Sequence, residues 1–249
     1  MYFFLHMHKC AGSTVVRKEK LSKLKLVENH RNGNMVRPSG RTVRFTELSE
    51  GSVQRLLTDV HESGVQFIAS EFDFPKIEYL ACGVPIDLFT VLRDPLSRAS
   101  SHYRFAKLYG SVHKDVNFKE FMNFSFTKKG PLSRTSNYYT RKLCSMSALE
   151  PLGPEQLERA MQVLESFRSV ILLERDNLDD ELSKIGIDAM VKPVNRTAAL
   201  VSSTLSETDL TLSNDDHEWF KEANSLDYEM LMRVWKSKDQ QGLINTGAA

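Results

Sequence analysis

Cysteine is scarce in this sequence of 249 residues: Cys10, Cys82 and Cys144 are far apart, with no C-x-x-C spacing among them. That excludes the disulfide framework of a small secreted scaffold, and it argues against a zinc site. Long hydrophobic runs are missing as well; no stretch approaches the ~18 apolar residues that span a bilayer. The opening Met1–Lys9 carries only a short apolar run with no basic segment before it, which argues against a secretory signal. Charge of one sign is also lacking. Lys and Arg number 33 against 32 Asp and Glu, a net charge of +1, too small a surplus for a general polyanion binder that works by counterion release. No nucleic-acid partner and no membrane span are therefore expected. There is no repeat of fixed period and no low-complexity tract.

What is present suits a folded domain. Hydrophobic residues make up 41% of the chain, enough for a sizeable core, and one domain over residues 1–249 is expected. Tyr2–Leu5 is a short apolar run that breaks into a polar loop at His6–Gly12, as a buried parallel strand does. Residues 13–27 read as a helix followed by an irregular segment, and 28–46 as loop with at most one short strand. Glu50–Ser63 is helical, with Val53, Leu56, Leu57 and Val60 on one face. Val65–Ala69 and Ile86–Leu92 read as strands. Asp94 is placed to cap a helix that opens on Pro95 and runs to about Phe105. Helices are expected at Phe118–Phe124, Pro154–Arg168 and Leu178–Ile185, the last ended by Gly186, with a strand at Val170–Leu173. Lys128–Pro131 and 192–206 read as loops. Asp215–Trp235 reads as one long terminal helix before a frayed end. Strands alternating with helices predict an α/β fold, a parallel sheet with helices on both faces. Such sheets bind ligands at the carboxyl ends of their strands.

Two segments fall at such ends. The first is His8-Lys9-Cys10-Ala11-Gly12-Ser13-Thr14. Small residues let backbone N–H groups converge on an anion, the following helix adds its positive end, Lys9 supplies a point charge, and Ser13 and Thr14 supply hydroxyls. The G-x-x-x-x-G-K-[ST] spelling of the usual phosphate loop is absent. The second runs from Arg93 to Tyr103. Helical spacing brings Asp94, Arg98 and Ser101 near one face, and Arg93 at the strand end suits a bidentate clamp on phosphate. An ordinary solvated loop and a locally paired arginine are the alternatives for each segment taken alone.

Together the two segments resemble the signatures of sulfotransferases that use 3′-phosphoadenosine 5′-phosphosulfate (PAPS). The first is similar to the 5′-phosphosulfate loop H-x-x-K-x-[AG]-G-[ST]-[ST] of carbohydrate-type members. The second matches their 3′-phosphate motif R-D-P-x-x-R-x-x-S-x-Y at every specified position. Asn137–Cys144 is similar to the family's N-x-x-T-R-x-L-C segment. Asn195-Arg196-Thr197, followed by Leu226-Asp227-Tyr228, is similar to its C-terminal loop and helix. The resemblance implies a P-loop-type three-layer sandwich around a parallel sheet. It also implies transfer of a sulfuryl group from PAPS to a hydroxyl or amine of a small-molecule or carbohydrate acceptor, leaving adenosine 3′,5′-bisphosphate, with no metal. By the same resemblance Lys9 assists departure of the phosphate. Lys9, Cys10, Ala11, Gly12, Ser13 and Thr14 line the 5′ end, Arg93 and Ser101 hold the 3′-phosphate, and Arg141 and Arg196 reach the nucleotide.

The acceptor must lose a proton, so a general base is expected. Relatives place a histidine or glutamate on the strand end between the two phosphate motifs. Here that stretch is Phe67–Phe74, with Glu71 as the nearest candidate and Asp73 behind it. His8 matches a family position, and strand alternation points His6 and His8 the same way. Phe118, Phe121, Phe124 and Phe126 are core or pocket residues, and His102 is structural. The near-neutral charge favours a soluble cytoplasmic enzyme acting on a small metabolite, unless the chain is an excised lumenal catalytic domain; a homo-oligomer is compatible with either. A nucleotide-dependent kinase and a non-catalytic nucleotide-binding module are the competing readings.

Overall fold

Tyr2–Leu5 (β1) is apolar from end to end because both its edges and both its faces are covered. It pairs in parallel with Phe67–Ser70 (β4) on one side and with Asp87–Leu92 (β5) on the other. Phe3, Phe4 and Leu5 are wholly buried, as continuous runs in parallel sheets are. The structure is a computed structural model that describes residues 1–21, 24–127, 136–146, 150–187 and 211–245. The chain forms two units, each assembled from separate stretches of sequence. One comprises Met1–Leu92, Lys142–Ser147 and Glu158–Pro193; the other comprises Arg93–Arg141, Ala148–Leu157 and Val194–Ala249.

The first unit holds the sheet. Its strand order is β2-β3-β4-β1-β5-β6, where β2 is His30–Arg31, β3 is Asn34–Met35 and β6 is Ser169–Leu172. All neighbours run parallel except β2 and β3. This is an α/β architecture with a mostly parallel six-stranded sheet. Successive residues of β1 serve opposite faces. Phe3 meets Phe45 at 5.6 Å and Phe74 edge-on at 5.8 Å, whereas Phe4 stacks on Phe89 at 4.9 Å and lies 6.4 Å from Phe67. Truncating a buried phenylalanine of this kind to alanine costs about 3–5 kcal/mol. The helices of this unit include Gly12–Leu21 (α1), Glu50–Glu62 (α2) and Leu178–Lys184 (α7). Gly186, at φ +86°, ends α7. Its N–H bonds the Ser183 carbonyl at 2.9 Å and the Ile187 N–H bonds that of Leu182 at 2.9 Å, a Schellman closure that needs a left-handed residue.

The second unit is helical. Asp94 caps Pro95–Leu108 (α3), its carboxylate accepting the Ser97 N–H at 2.7 Å, with Pro95 at the first helical position. Phe118–Thr127 (α4) packs Phe118, Phe121 and Met122 against Ala99, Tyr103, Ala106 and Phe220. Tyr138–Leu143 (α5) and Pro154–Glu165 (α6) begin in this unit. Asn214–Ala223 (α8) and Ser225–Asn245 (α9) close the chain.

Three expectations are corrected. Residues 28–46 hold two strands, not one at most: Asn32 at φ +51° and Gly33 at φ +82° form the two-residue turn between β2 and β3 that an Asn-Gly pair favours. The helix expected to reach Arg168 stops at Glu165, because the Arg168 N–H already bonds the Leu88 carbonyl of β5 at 2.8 Å. The single terminal helix is two. Asn224, wholly buried at φ −118°, turns its side-chain amide back onto the Phe220 carbonyl at 2.9 Å, and a new helix starts at Ser225 and runs on to Asn245. The expected loops at Lys128–Pro131 and 192–206 lie outside the described residues.

Candidate functional site

The chain reaches β4 on one side of β1 before it crosses to β5 on the other. Winding reverses over β1, and crevices at carboxyl strand ends open at such reversals. The loop from His6 to Ala11 leaves β1 there. Two residues that are not glycine take left-handed backbone in it, Lys9 at φ +65° and Ala11 at φ +58°. Each costs on the order of 1–2 kcal/mol, a strain that clusters at functional sites. Between them Cys10 turns inward and is fully buried, its N–H on the Met7 carbonyl at 3.1 Å and its thiol 3.7 Å from the His8 carbonyl.

The bend sorts the backbone donors. The Thr14 and Val15 N–H groups both bond the Ala11 carbonyl, at 2.9 and 3.1 Å, so Thr14 and Cys10 bring no backbone donor. The N–H groups of Ala11, Gly12 and Ser13 have no acceptor among the described residues. They stand at the positive end of α1, whose first turn carries no acidic residue, a geometry that suits an anion. Gly12 is required here: a Cβ at this position would fall 1.8 Å from Nε2 of His6.

A carboxylate and two imidazoles border the loop. His8 Nδ1 lies 2.8 Å from Oε1 of Glu71, just beyond the end of β4, and His6 Nδ1 lies 3.8 Å from Oε2. The Glu71 N–H donates to Asn34 Oδ1 at 2.5 Å and its carbonyl accepts Lys142 Nζ at 2.5 Å. Burial alone would raise the Glu71 pKa, but the His8 hydrogen bond, the two imidazoles and Lys142 overcome it and hold it at about 2. Glu71 is thus a carboxylate at neutral pH. An ionised carboxylate only accepts, so it takes the hydrogen bond from His8 Nδ1. Asp73 accepts the Thr46 N–H at 2.9 Å and its hydroxyl at 2.7 Å, a structural role.

His6 is buried and stacked on Phe4 at 5.4 Å, and burial, which outweighs the pull of Glu71, lowers its pKa to about 4. The unfolded chain therefore binds more protons than the folded one between pH 6.5 and 4, so stability falls as pH drops through that window. The loss expected from His6 is on the order of 3 kcal/mol, and Glu71 adds to it as pH falls from 4.5 towards 2. Denaturant midpoints should decline over this range, and the His6 ring protons should titrate near pH 4 by NMR. A midpoint near 6.5 would overturn the assignment.

In the second unit, the Arg93–Tyr103 segment divides into scaffold and surface. Arg98 is 1% exposed, with its guanidinium over the Tyr138 ring at 4.2 Å. Asp94 is the helix cap, and buried Tyr103 donates to the Val116 carbonyl at 2.8 Å. Arg93 and Ser101 are half-buried. The Arg141 guanidinium donates to the carbonyls of Ser136, at 3.2 Å, and Glu150, at 2.6 Å. Arg196 lies outside the described residues. His102 meets Phe121 edge-on at 5.6 Å; Phe118 and Phe121 belong to the core, and the side chains of Phe124 and Phe126 are not described. The sequence reading did not single out Asn34 or Lys142 as site residues, since nothing local links them to Glu71.

No family model matches the chain, and no curated protein matches it. Among the described residues no helix is long and apolar enough to cross a membrane.

Proposed function

We propose that this chain is a PAPS-dependent sulfotransferase, moving a sulfuryl group to a hydroxyl or amine of a small-molecule or carbohydrate acceptor. One observation carries the reading. The two motif segments occur in family order, each directly after one of the paired strands β1 and β5, and the first presents three N–H donors and a lysine at a switch point. The strand order, with β1 central, supports a P-loop-type three-layer sandwich.

In this reading Ala11, Gly12 and Ser13 hold the 5′-phosphate through their N–H groups, and Arg93 and Ser101 hold the 3′-phosphate. The acceptor oxygen or nitrogen forms a bond to sulfur as the bond from sulfur to the phosphate oxygen breaks. His8 Nε2 takes the acceptor proton, Glu71 orients and charge-stabilises the imidazole, and Lys9 stabilises the charge that develops on the departing oxygen. The direct test is a panel of acceptors with 35S-labelled PAPS, scored for transferred sulfate. Calorimetry with adenosine 3′,5′-bisphosphate complements it, and a chain that neither binds this nucleotide nor transfers label is not a sulfotransferase.

Arg93→Ala is expected to weaken adenosine 3′,5′-bisphosphate binding by about 1.5–3 kcal/mol, the worth of a charged hydrogen bond. Adenosine 5′-monophosphate affinity should stay as it is. Equal affinity of the variant and the wild type for the bisphosphate would reject the assignment.

A further inference from the structure

Tyr139 has no assigned part in the reading above, yet its hydroxyl holds the backbone of Arg93 on both sides. It accepts the Arg93 N–H at 3.1 Å and donates to the Arg93 carbonyl at 2.7 Å. One rigid phenol thus closes both peptide groups that flank the Arg93 Cα and sets the direction in which its side chain leaves the backbone.

The phenol is itself fixed. Tyr139 is wholly buried and sits in the first turn of α5, where the Asp227 carboxylate accepts its N–H at 2.9 Å. The other Asp227 oxygen accepts the Thr140 N–H at 3.0 Å and its hydroxyl at 2.9 Å. The Arg98 guanidinium lies 5.8 Å from the Tyr139 ring centre, which adds a cationic contact to that ring. The capping is reciprocal, because Asn137 Oδ1 accepts the N–H groups of Leu226, at 3.1 Å, and Asp227, at 3.2 Å, at the start of α9. Asn224 Oδ1 accepts the Asn137 N–H at 3.0 Å. Each helix start is closed by a side chain from the other's segment. The Asn137–Cys144 segment and the Leu226–Tyr228 turn are thereby joined in one buried polar network that ends on Arg93.

We propose that Tyr139 is a positioning residue for recognition of a ribose 3′-phosphate, holding Arg93 ready through its backbone, with Asp227 as its anchor. This rests on the assignment of Arg93 to the 3′-phosphate. Pre-organising a clamp lowers the ordering cost of binding, and a site residue is only as well placed as the shell that supports it.

The test is calorimetry on the whole chain with two nucleotides, adenosine 3′,5′-bisphosphate and adenosine 5′-monophosphate. Tyr139→Phe removes only the hydroxyl, and its affinity for the bisphosphate is expected to fall about tenfold, with the monophosphate unchanged. Asp227→Asn keeps the shape and removes one of two acceptor oxygens, so it should give a smaller loss confined to the bisphosphate. It carries the test if Tyr139→Phe does not fold. Equal weakening of both nucleotides would mark Tyr139 as a general structural residue and overturn the proposal, as would an unchanged bisphosphate affinity. A wild-type chain that does not distinguish the two nucleotides would overturn the assignment of Arg93 and the role of Tyr139 together. A wild type that does distinguish them, beside variants that do so equally well, would overturn the role of Tyr139 alone.

Discussion

Lys9→Ala is expected to lower sulfate turnover by about 100-fold or more, the usual effect of losing a donor aimed at charge that appears only in the transition state. Lys9 follows His8 in the chain and precedes the open N–H groups of Ala11, Gly12 and Ser13, in left-handed backbone at φ +65°. Alanine carries a Cβ as lysine does, so the substitution adds no new backbone strain and the loss reports on the ammonium group. A lysine that acted on the ground state alone would raise KM and spare kcat. The expected pattern is the opposite: kcat falls, and the affinity for adenosine 3′,5′-bisphosphate changes little. Lys9→Arg keeps the charge but spreads it over a planar fork, so it should recover only part of the rate. Near-normal turnover in Lys9→Ala would remove Lys9 from the mechanism.

The fold was legible wherever local chemistry decides it. Continuous apolar runs marked β1, β4, β5 and β6, and the Asp94-Pro95 pair and Gly186 marked helix ends, because capping and left-handed closure depend on the residues present at those positions. The break at Asn224 was not legible because half of what holds Asn224 is remote: its amide bonds the nearby Phe220 carbonyl, but its oxygen accepts the N–H of Asn137, 87 residues away in the chain. The site divides in the same way. The loop around Lys9 is contiguous in sequence and could be read directly. The place of Glu71 beside it follows from strand pairing, Leu5 opposite Ser70, and was reached only as a position on a strand end. The charge state of Glu71 was not legible, since it depends on His8 and Lys142 across separations of 63 and 71 residues. Helical spacing grouped Arg98 with Asp94 and Ser101, but spacing does not say what covers that face, and here Tyr138 does.

That charge state separates two assignments of the base. If Glu71 accepted the proton, the acid limb of the pH–rate profile would sit near its pKa of about 2, and Glu71→Gln would abolish both the limb and the activity. With His8 as base, His8→Ala should lower turnover by about 100- to 10,000-fold and remove the acid limb, and exogenous imidazole should restore part of the rate. Glu71→Gln should then keep the limb while turnover falls, because a neutral amide still bonds Nδ1 but neither enforces the tautomer nor balances the imidazolium charge. The loop explains why the two roles need two groups. Glu71 is held by the imidazoles, and its backbone is tied to Asn34 and Lys142, so it is well fixed and poorly basic. His8 is 28% exposed and within reach of an acceptor arriving from solvent. An acid limb that disappears in Glu71→Gln while persisting in His8→Ala would reverse the assignment.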